Sequence, residues 1–488
     1  MSGASIRGIR AGALAAALVG LAASAPSHAA PHAPPLAEAV EAGLRAQVGA
    51  GTRFGLVVAT MDGKELVAID PDGRYVPASA TKLFTAAAAF AALPGLDGPD
   101  AEGGASVRLE ARAGGAPPDV VLEGHGDGRL SSAPDCRTDC LAALADAVAA
   151  STRRVGDVIG DDRWFADERW SPGMSWNNIA TRSGTAVSAL ALDENVVTVT
   201  VAPGPAGRPV QLSSPGYFAF DNEAVTLASG SSSLGFDRLP GSRTVRLTGA
   251  LVAGAAPVAL RLGIDDPADY AAWRLKALLE ARGVKVTGRI GVRHRPAGTS
   301  PPTPPTPAPP LARLIPPPLA QDILATEKNS DNLHAELLLR RVARRAGDGT
   351  VAAGGAAVRA LLTQAGLTRG QYDFFDGSGM SSYNRLSPRG AVAFLRWASA
   401  QPWGAALRAS LPVAGVDGTL ASRFKGSLLE GRLSAKTGTL NAATALVGYL
   451  NAASGRPLVF AAFAGDMPEG AEATKAIDAA LLAVAAAN

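Results

Sequence analysis

The chain is short of the residues that mark several protein classes. In 488 residues there are two cysteines, Cys136 and Cys140. So few exclude a disulfide-stapled scaffold and a four-thiolate metal site. No second cysteine pair exists and His125 is the one histidine nearby, so no metal-ligand set is implied. Neither sign of charge is in excess. The 46 Lys and Arg against 43 Asp and Glu leave a formal net charge of +3, which excludes a strongly basic nucleic-acid surface. Beyond Ala30 no apolar run reaches the ~20 residues of a membrane span without meeting charge, glycine or proline. No internal repeat is visible, which excludes a solenoid. Charged residues make up 18% and hydrophobic ones 47%, a balance that excludes a disordered chain and allows sizeable cores.

The N-terminal segment is the first positive feature. Arg7 and Arg10 form a short basic region, Ala11 to Ala23 is apolar, and Ser27-His28-Ala29 places small residues before a cut. This is the pattern of a secretory signal peptide over residues 1–29, cleaved after Ala29. Its apolar run of about 13 residues is too short to span, so no transmembrane anchor is expected once it is removed. Export puts Cys136 and Cys140 in an oxidising compartment, where a disulfide closing their small loop adds ~2 kcal/mol. Two reduced cysteines at a helix start are the other reading.

The length suggests about three domains. Leu36, Val40, Leu44 and Val48 recur every fourth residue and predict a helix over 36–50. Phe54–Ala59 and Glu65–Ile69 read as strands around an Asp62-Gly63 turn. After Tyr75–Ser79, an Ala-rich run to Leu93 predicts a helix that is apolar all round and therefore buried. From Gly95 to Pro310 the pattern changes to short alternating stretches such as Val107–Ala111 and Val196–Val201, with helical patterns at Leu141–Ser151 and Tyr270–Arg282. This reads as a mostly β insertion in two parts. The proline-dense Ser300–Pro318 is expected to be an extended, exposed linker. Helical periodicity returns at Leu319. Thr439–Ala453 and Pro457–Ala464 read as two strands joined at Ser454-Gly455, and a final packing helix runs over 470–487. The fold class is α/β, interrupted by a large insertion.

Three short motifs carry the chemistry. Ser79-Ala80-Thr81-Lys82 reads S-x-x-K, Ser330-Asp331-Asn332 reads S-x-N, and Lys436-Thr437-Gly438 reads K-T-G. A helix places residues three apart on one face, so Lys82 lies beside the Ser79 hydroxyl. That hydroxyl is a weak nucleophile that needs a base, and a lysine serves when desolvation or a second cation lowers its pKa. The apolar helix supplies desolvation and Lys436 the second cation. Ser330 opens a helical pattern as its N-cap and can pass a proton to a leaving amine, with Asp331 bracing the turn. Asn332 is expected to donate its amide to the substrate backbone and to Lys82. Lys436 and Thr437 suit a terminal carboxylate, Gly438 permits close backbone approach, and the backbone N–H groups of Ser79 and Thr439 suit an oxyanion. Taken singly, each motif also reads as ordinary structure: two helix caps and an edge-strand lysine.

In this order and in these settings, the motifs resemble the penicillin-recognising serine transpeptidases and hydrolases. More closely, the chain resembles the class C low-molecular-mass penicillin-binding proteins, the penicillin-binding protein 4 type of D-alanyl-D-alanine carboxypeptidase and endopeptidase. Pro77–Thr85, Asn329–Leu333, Glu336–Leu338, Asp376–Ser381, Asp417–Leu420 and Ala435–Thr439 carry the likeness. So does the long separation between Ser79 and Ser330, which in that family accommodates two extra domains.

The resemblance implies helices around an antiparallel sheet for residues 30–100 and 312–488. It also implies an inserted domain II over 101–165 and 265–311, and an inserted domain III over 166–264. It implies a periplasmic serine peptidase acting on peptidoglycan stem peptides through an acyl-enzyme, inhibited by β-lactams, with no metal or organic cofactor. In that family an acidic pair before an aromatic faces the cleft from the insertion. Here that points to Asp161, as a site for the free amine of a diamino acid. A β-lactamase is opposed by the size of the insertion. A cell-wall binding protein without turnover is opposed by the intact Ser79, Lys82, Ser330, Asn332 and Lys436. Carboxypeptidase and endopeptidase cleavage share these motifs, and no residue pattern sets an oligomeric state.

Overall fold

The computed structural model describes residues 35–48, 50–299 and 309–488. The expected signal peptide over 1–29 and the centre of the proline-dense segment, residues 300–308, lie outside them. In chain order the described α-helices are α1 (Leu36–Val48), α2 (Lys82–Ala92), α3 (Leu141–Ser151), α4 (Pro267–Ala281), α5 (Leu319–Lys328), α6 (Asn332–Ala346), α7 (Val351–Gln364), α8 (Pro388–Ser399), α9 (Gly404–Ser410) and α10 (Thr474–Ala487).

Successive side chains of a strand point to opposite faces. Along Arg53–Thr60, Phe54, Leu56 and Val58 enter one core while Val57 and Ala59 enter another. Both faces are buried, which is why the segment reads as a continuous apolar run. This strand pairs antiparallel with Glu65–Ile69 on one side and Pro457–Gly465 on the other. The sheet continues through Ala443–Asn451 and ends at Leu433–Leu440, its edge strand. α1 and α10 cover one face, where Val40 and Leu44 share a core with Ile477 and Leu481. α2, α6, α7 and α8 cover the other, with Leu83, Phe84, Leu338 and Phe394 packed around Val57 and Phe463. Residues 82–89 of α2 are all buried, and its alanines let the surrounding helices approach closely.

Between α2 and α5 lies a five-stranded sheet in the order Ile290–Arg293, Val158–Asp161, Asp119–Glu123, Ser106–Glu110, Ala312–Arg313. The first three strands are parallel and the last two pairings antiparallel. α3 and α4 share its core. Two smaller sheets follow within residues 196–263: Val258–Gly263 beside Val196–Ala202 and Gln211–Ser213, and a four-stranded set around Thr244–Val252. Asp322 of α5 ties the parts together. It accepts hydrogen bonds from Arg129 Nε at 2.8 Å and from His334 Nδ1 at 2.8 Å. A buried ion pair joins Arg341 to Asp100.

Two expectations are corrected. Thr439–Ala453 is not one strand. Leu433–Leu440 turns at Asn441-Ala442 into Ala443–Asn451, with Ala442 at φ 57°. A positive φ at alanine is uncommon, so no sequence signal marked the turn. Lys436, Thr437 and Gly438 therefore lie inside a strand rather than ahead of one. The boundary at residue 311 also shifts, because Ala312–Arg313 pairs with Ser106 and Val107 of the inserted sheet. Cys136 and Cys140 form a disulfide, and Cys140 is the N-cap of α3.

Beside that disulfide, Asp127 and Asp139 face each other under cover. Both oxygens of Asp139 and one of Asp127 have no hydrogen-bond donor. Burial raises the pKa of both carboxyls, and for Asp127 the facing Asp139 adds to the shift. A carboxyl raised in the folded state contributes stability below about pH 4 that is lost as pH rises through its folded value. Asp139→Asn is therefore expected to raise the melting temperature by a few degrees at pH 7.5. Thermal denaturation across pH checks this, and the gain should vanish near pH 4.

Candidate active site

The nucleophile segment starts from a strained turn. Ala78, at φ 47°, opens a 3-10 turn over Ala78–Thr81 that runs directly into α2. In a 3-10 turn residues three apart eclipse, which sets Lys82 under Ser79. Lys82 Nζ lies 2.8 Å from Ser79 Oγ, 2.7 Å from Asn332 Oδ1 and 2.6 Å from the Ser378 carbonyl. The side chain is fully buried. Burial first, and the Lys436 charge second, lower its pKa to about 7. A neutral amine has two hydrogens and one lone pair. Asn332 Oδ1 and the Ser378 carbonyl can only accept, so they take both hydrogens. The lone pair is left facing the Ser79 hydroxyl. The amide of Asn332 is oriented by Ser183, whose carbonyl accepts from Nδ2 at 2.8 Å.

Lys436 enters from the edge strand, also fully buried. Its Nζ donates to Ser330 Oγ at 3.0 Å and to the Thr437 carbonyl at 3.2 Å. Of its three hydrogens, one remains for a ligand. Burial lowers its pKa to about 8, against the pull of Glu327. Ser330 is not the helix cap that the sequence suggested. Asp331 caps α6 by accepting from the His334 N–H at 3.1 Å, and Ser330 precedes it at φ 58°, which turns its hydroxyl to Lys436. Asn332 differs too: it offers Lys82 its oxygen rather than its amide hydrogens, one of which goes to the Ser183 carbonyl.

Two glycines set how closely the parts meet. A Cβ on Gly438 would stand 2.3 Å from the Pro77 carbonyl, so the edge strand presses on the Ser79 turn backbone to backbone. A Cβ on Gly379, at φ 88°, would stand 1.9 Å from the Ala78 carbonyl on another side of that turn. Thr437 Oγ1 and Thr419 Oγ1 share a hydrogen bond of 2.8 Å. Thr439, next along the strand, is exposed, and Ser79 is half-buried.

The structure thus brings Ser79, Lys82, Ser330, Asn332 and Lys436 together, with Thr437, Gly438 and Thr439 on the adjoining strand. Asp161 is not placed as expected. It is buried, and Arg163 takes both of its oxygens at 2.9 and 2.5 Å, with Arg108 at 3.9 Å and Arg293 at 4.0 Å. A carboxylate so neutralised offers nothing to a ligand amine.

Several residues of the site were not assigned from sequence. Glu336 Oε1 accepts the N–H groups of Gly377 and Ser378, both at 3.0 Å, and so fixes the carbonyl that Lys82 uses. Asp376 accepts from the Gly379 and Ser381 N–H groups and from Asn384. From the insertion, Arg182 donates to Asp331 at 2.8 Å and to Glu194 at 3.1 Å. Glu336 stands four positions after Asn332, a spacing that puts both on one helix face; that was the available signal. Arg182 had none.

A buried amine poised beside a serine, with a second lysine on an edge strand facing it, defines the penicillin-recognising class of active-site-serine enzymes. The chain belongs to the D-Ala-D-Ala carboxypeptidase 3 (S13) family, which matches residues 36–488. It is 37% identical over 415 residues to a D-alanyl-D-alanine carboxypeptidase of Actinomadura sp. (strain R39), covering 81% of this chain and 74% of that one. It is 24% identical over 439 residues to the D-alanyl-D-alanine carboxypeptidase DacB of Haemophilus influenzae, covering 85% of each. The fold matches the crystal structure of penicillin binding protein 4 (dacB) from Haemophilus influenzae with a TM-score of 0.76 at 22% identity, over 91% of this chain and 97% of that one. Among the described residues no helix is long and apolar enough to cross a membrane.

Two outcomes follow from the Lys82 geometry. With the neutral Lys82 amine serving as the base, acylation by a penicillin should fall about tenfold per pH unit below its pKa, as stopped-flow rates across pH would show. Asn332→Asp puts a negative charge where the amide oxygen now sits. It should raise the Lys82 pKa and move the acidic limb of the same profile to higher pH.

Proposed function

We propose that this protein is a serine D-alanyl-D-alanine carboxypeptidase and endopeptidase of peptidoglycan, working outside the cytoplasm, in the periplasm, after export. One observation carries the reading: buried Lys82 Nζ lies 2.8 Å from Ser79 Oγ and its two other neighbours, Asn332 Oδ1 and the Ser378 carbonyl, are acceptors, so the neutral amine turns its lone pair to Ser79.

In the proposed reaction, Ser79 Oγ attacks the carbonyl carbon of the penultimate D-alanine while its proton passes to Lys82 Nζ. The negative oxygen that forms lies toward the backbone N–H groups of Ser79 and Thr439. The C–N bond then breaks, and the leaving amine takes, through the Ser330 hydroxyl, the proton that Lys82 received, which returns Lys82 to the free base. The remaining peptide stays as an ester on Ser79 until water, deprotonated by Lys82, releases it. Lys436 and Thr437 hold the terminal carboxylate: Lys436 has one free N–H, and Thr437 is fixed through Thr419. A β-lactam carries an amide and a carboxylate in the same relation, so it acylates the same serine. For a cross-linked dimer the same bond stereochemistry makes the cleavage endopeptidic.

Digestion of intact muropeptides followed by mass spectrometry tests the substrate. The expected products are stem peptides shortened by one D-alanine and monomers released from cross-linked dimers, and an unchanged mixture would sink the reading. Ser79→Ala should abolish covalent labelling by a fluorescent penicillin, with the label mapping to Ser79 in the unaltered protein. Lys436→Ala should lower kcat/KM on a free-carboxylate substrate by more than on its C-terminal amide. Equal losses on the two would remove Lys436 from carboxylate capture.

A further inference from the structure

The last turn of α5 carries a carboxylate that the reaction above does not use. Glu327 is fully buried, and neither of its oxygens has a hydrogen-bond donor among the described residues. A lone buried carboxylate is costly unless a nearby charge or a bound proton offsets it. The other carboxylates near the two lysines are already satisfied. Asp376 is held by backbone N–H groups and Asn384, and Asp331 by Arg182 and the start of α6. Glu336 takes two backbone N–H groups and Arg340. Burial pushes the Glu327 carboxyl up to about 7, against the pull of Lys436 and then of Lys82, so its charge is present above neutral pH. The influence is returned. Glu327 is the one charge that favours the ammonium form of Lys436, whereas Lys82 feels Asp376, Glu327 and Asp331 together against the repulsion of Lys436.

The reaction needs these two lysines in different states, although both are fully buried amines. Lys82 has to be a free base to accept the Ser79 proton. Lys436 has to be a cation to hold a carboxylate. Resting on the reading of Ser79 and Lys82 given above, we propose that Glu327 is a positioning residue for this reaction. It is the buried countercharge that holds Lys436 in its ammonium form. α5 places it for this task, one turn before Ser330, which Lys436 contacts. The neighbouring Lys328 anchors that turn to the Leu411 carbonyl and to Asp417, both at 2.7 Å.

The test is the pH profile of Glu327→Gln. Rates of Ser79 acylation by a fluorescent penicillin, and kcat/KM for a D-Ala-D-Ala peptide and its C-terminal amide, are measured from pH 5 to 10. Loss of the carboxylate lowers the pKa of Lys436 most. The alkaline limb for carboxylate-bearing substrates is therefore expected to move down by about one pH unit or more, and the preference for free carboxylate over amide to shrink severalfold at pH 8. Glu327→Asp, which keeps the charge, should restore the limb. Glu327→Met is equally long and buries no unpaired polar group. It carries the same expectation if the glutamine variant does not fold.

A profile identical in shape to that of the unaltered protein, or a loss of equal factor at every pH and on both substrates, overturns the proposal. In those cases the penicillin label on Ser79 still stands, so the reading of the nucleophile survives. A label on another residue of the unaltered protein overturns both.

Discussion

The catalytic cleft is organised around the cost of burying two lysine side chains close together. Lys82 and Lys436 are each removed from water, and as two cations they would repel each other where little solvent screens them. The structure relieves this by differentiating them. Lys82 receives two acceptors that suit a neutral amine, the carbonyl of Ser378 and the oxygen of Asn332. Lys436 receives a hydroxyl and a carbonyl and keeps a hydrogen for an anion. A desolvated amine with a pKa near neutrality is what the serine needs. The same burial that threatens stability therefore leaves an amine able to take a proton near neutral pH.

The surrounding structure follows from that arrangement. The Ser79 turn sits between the edge strand and the loop after Asp376, and close approach on either side leaves no room for a Cβ at Gly438 or Gly379. The loop is in turn fixed by two buried carboxylates, Glu336 and Asp376, which spend their oxygens mainly on backbone N–H groups. Asp376 has its pKa raised to about 6, first by burial and then by Glu336, against those hydrogen bonds. The insertion also takes part. Ser183 orients the Asn332 amide and Arg182 pairs with Asp331, so a segment far from the catalytic motifs in sequence holds the S-D-N turn in place. Chemistry and insertion are mechanically one unit at this point.

Much of the fold was legible because it rests on local periodicity. The hairpin at Asp62-Gly63, the buried helix after Ser79, and the helices at Leu141–Ser151 and after Leu319 follow from spacing and turn residues alone. The turn at Asn441-Ala442 did not, because alanine at positive φ is selected by the strand pairing around it. Asp161 was misread for a related reason. An Asp-Asp pair before Trp164 looks like an open acidic site, but the sheet brings Arg108 and Arg293 to it, and Arg163 folds back on it.

The sequence by itself determined which residue types could do the chemistry: a serine and lysine one turn apart, a serine and asparagine at a helix start, and a lysine ahead of a glycine. These are short-range relations, and helix and strand geometry converts them directly into position. Only the tertiary structure decided how the three segments meet. That Asn332 presents its oxygen, that Ser330 meets Lys436 from a positive-φ turn, and that Glu327 is enclosed without a hydrogen-bond partner among the described residues depend on contacts between segments remote in the chain. Electrostatic coupling in a buried site depends on distance and dielectric in space, and no spacing along the chain encodes either.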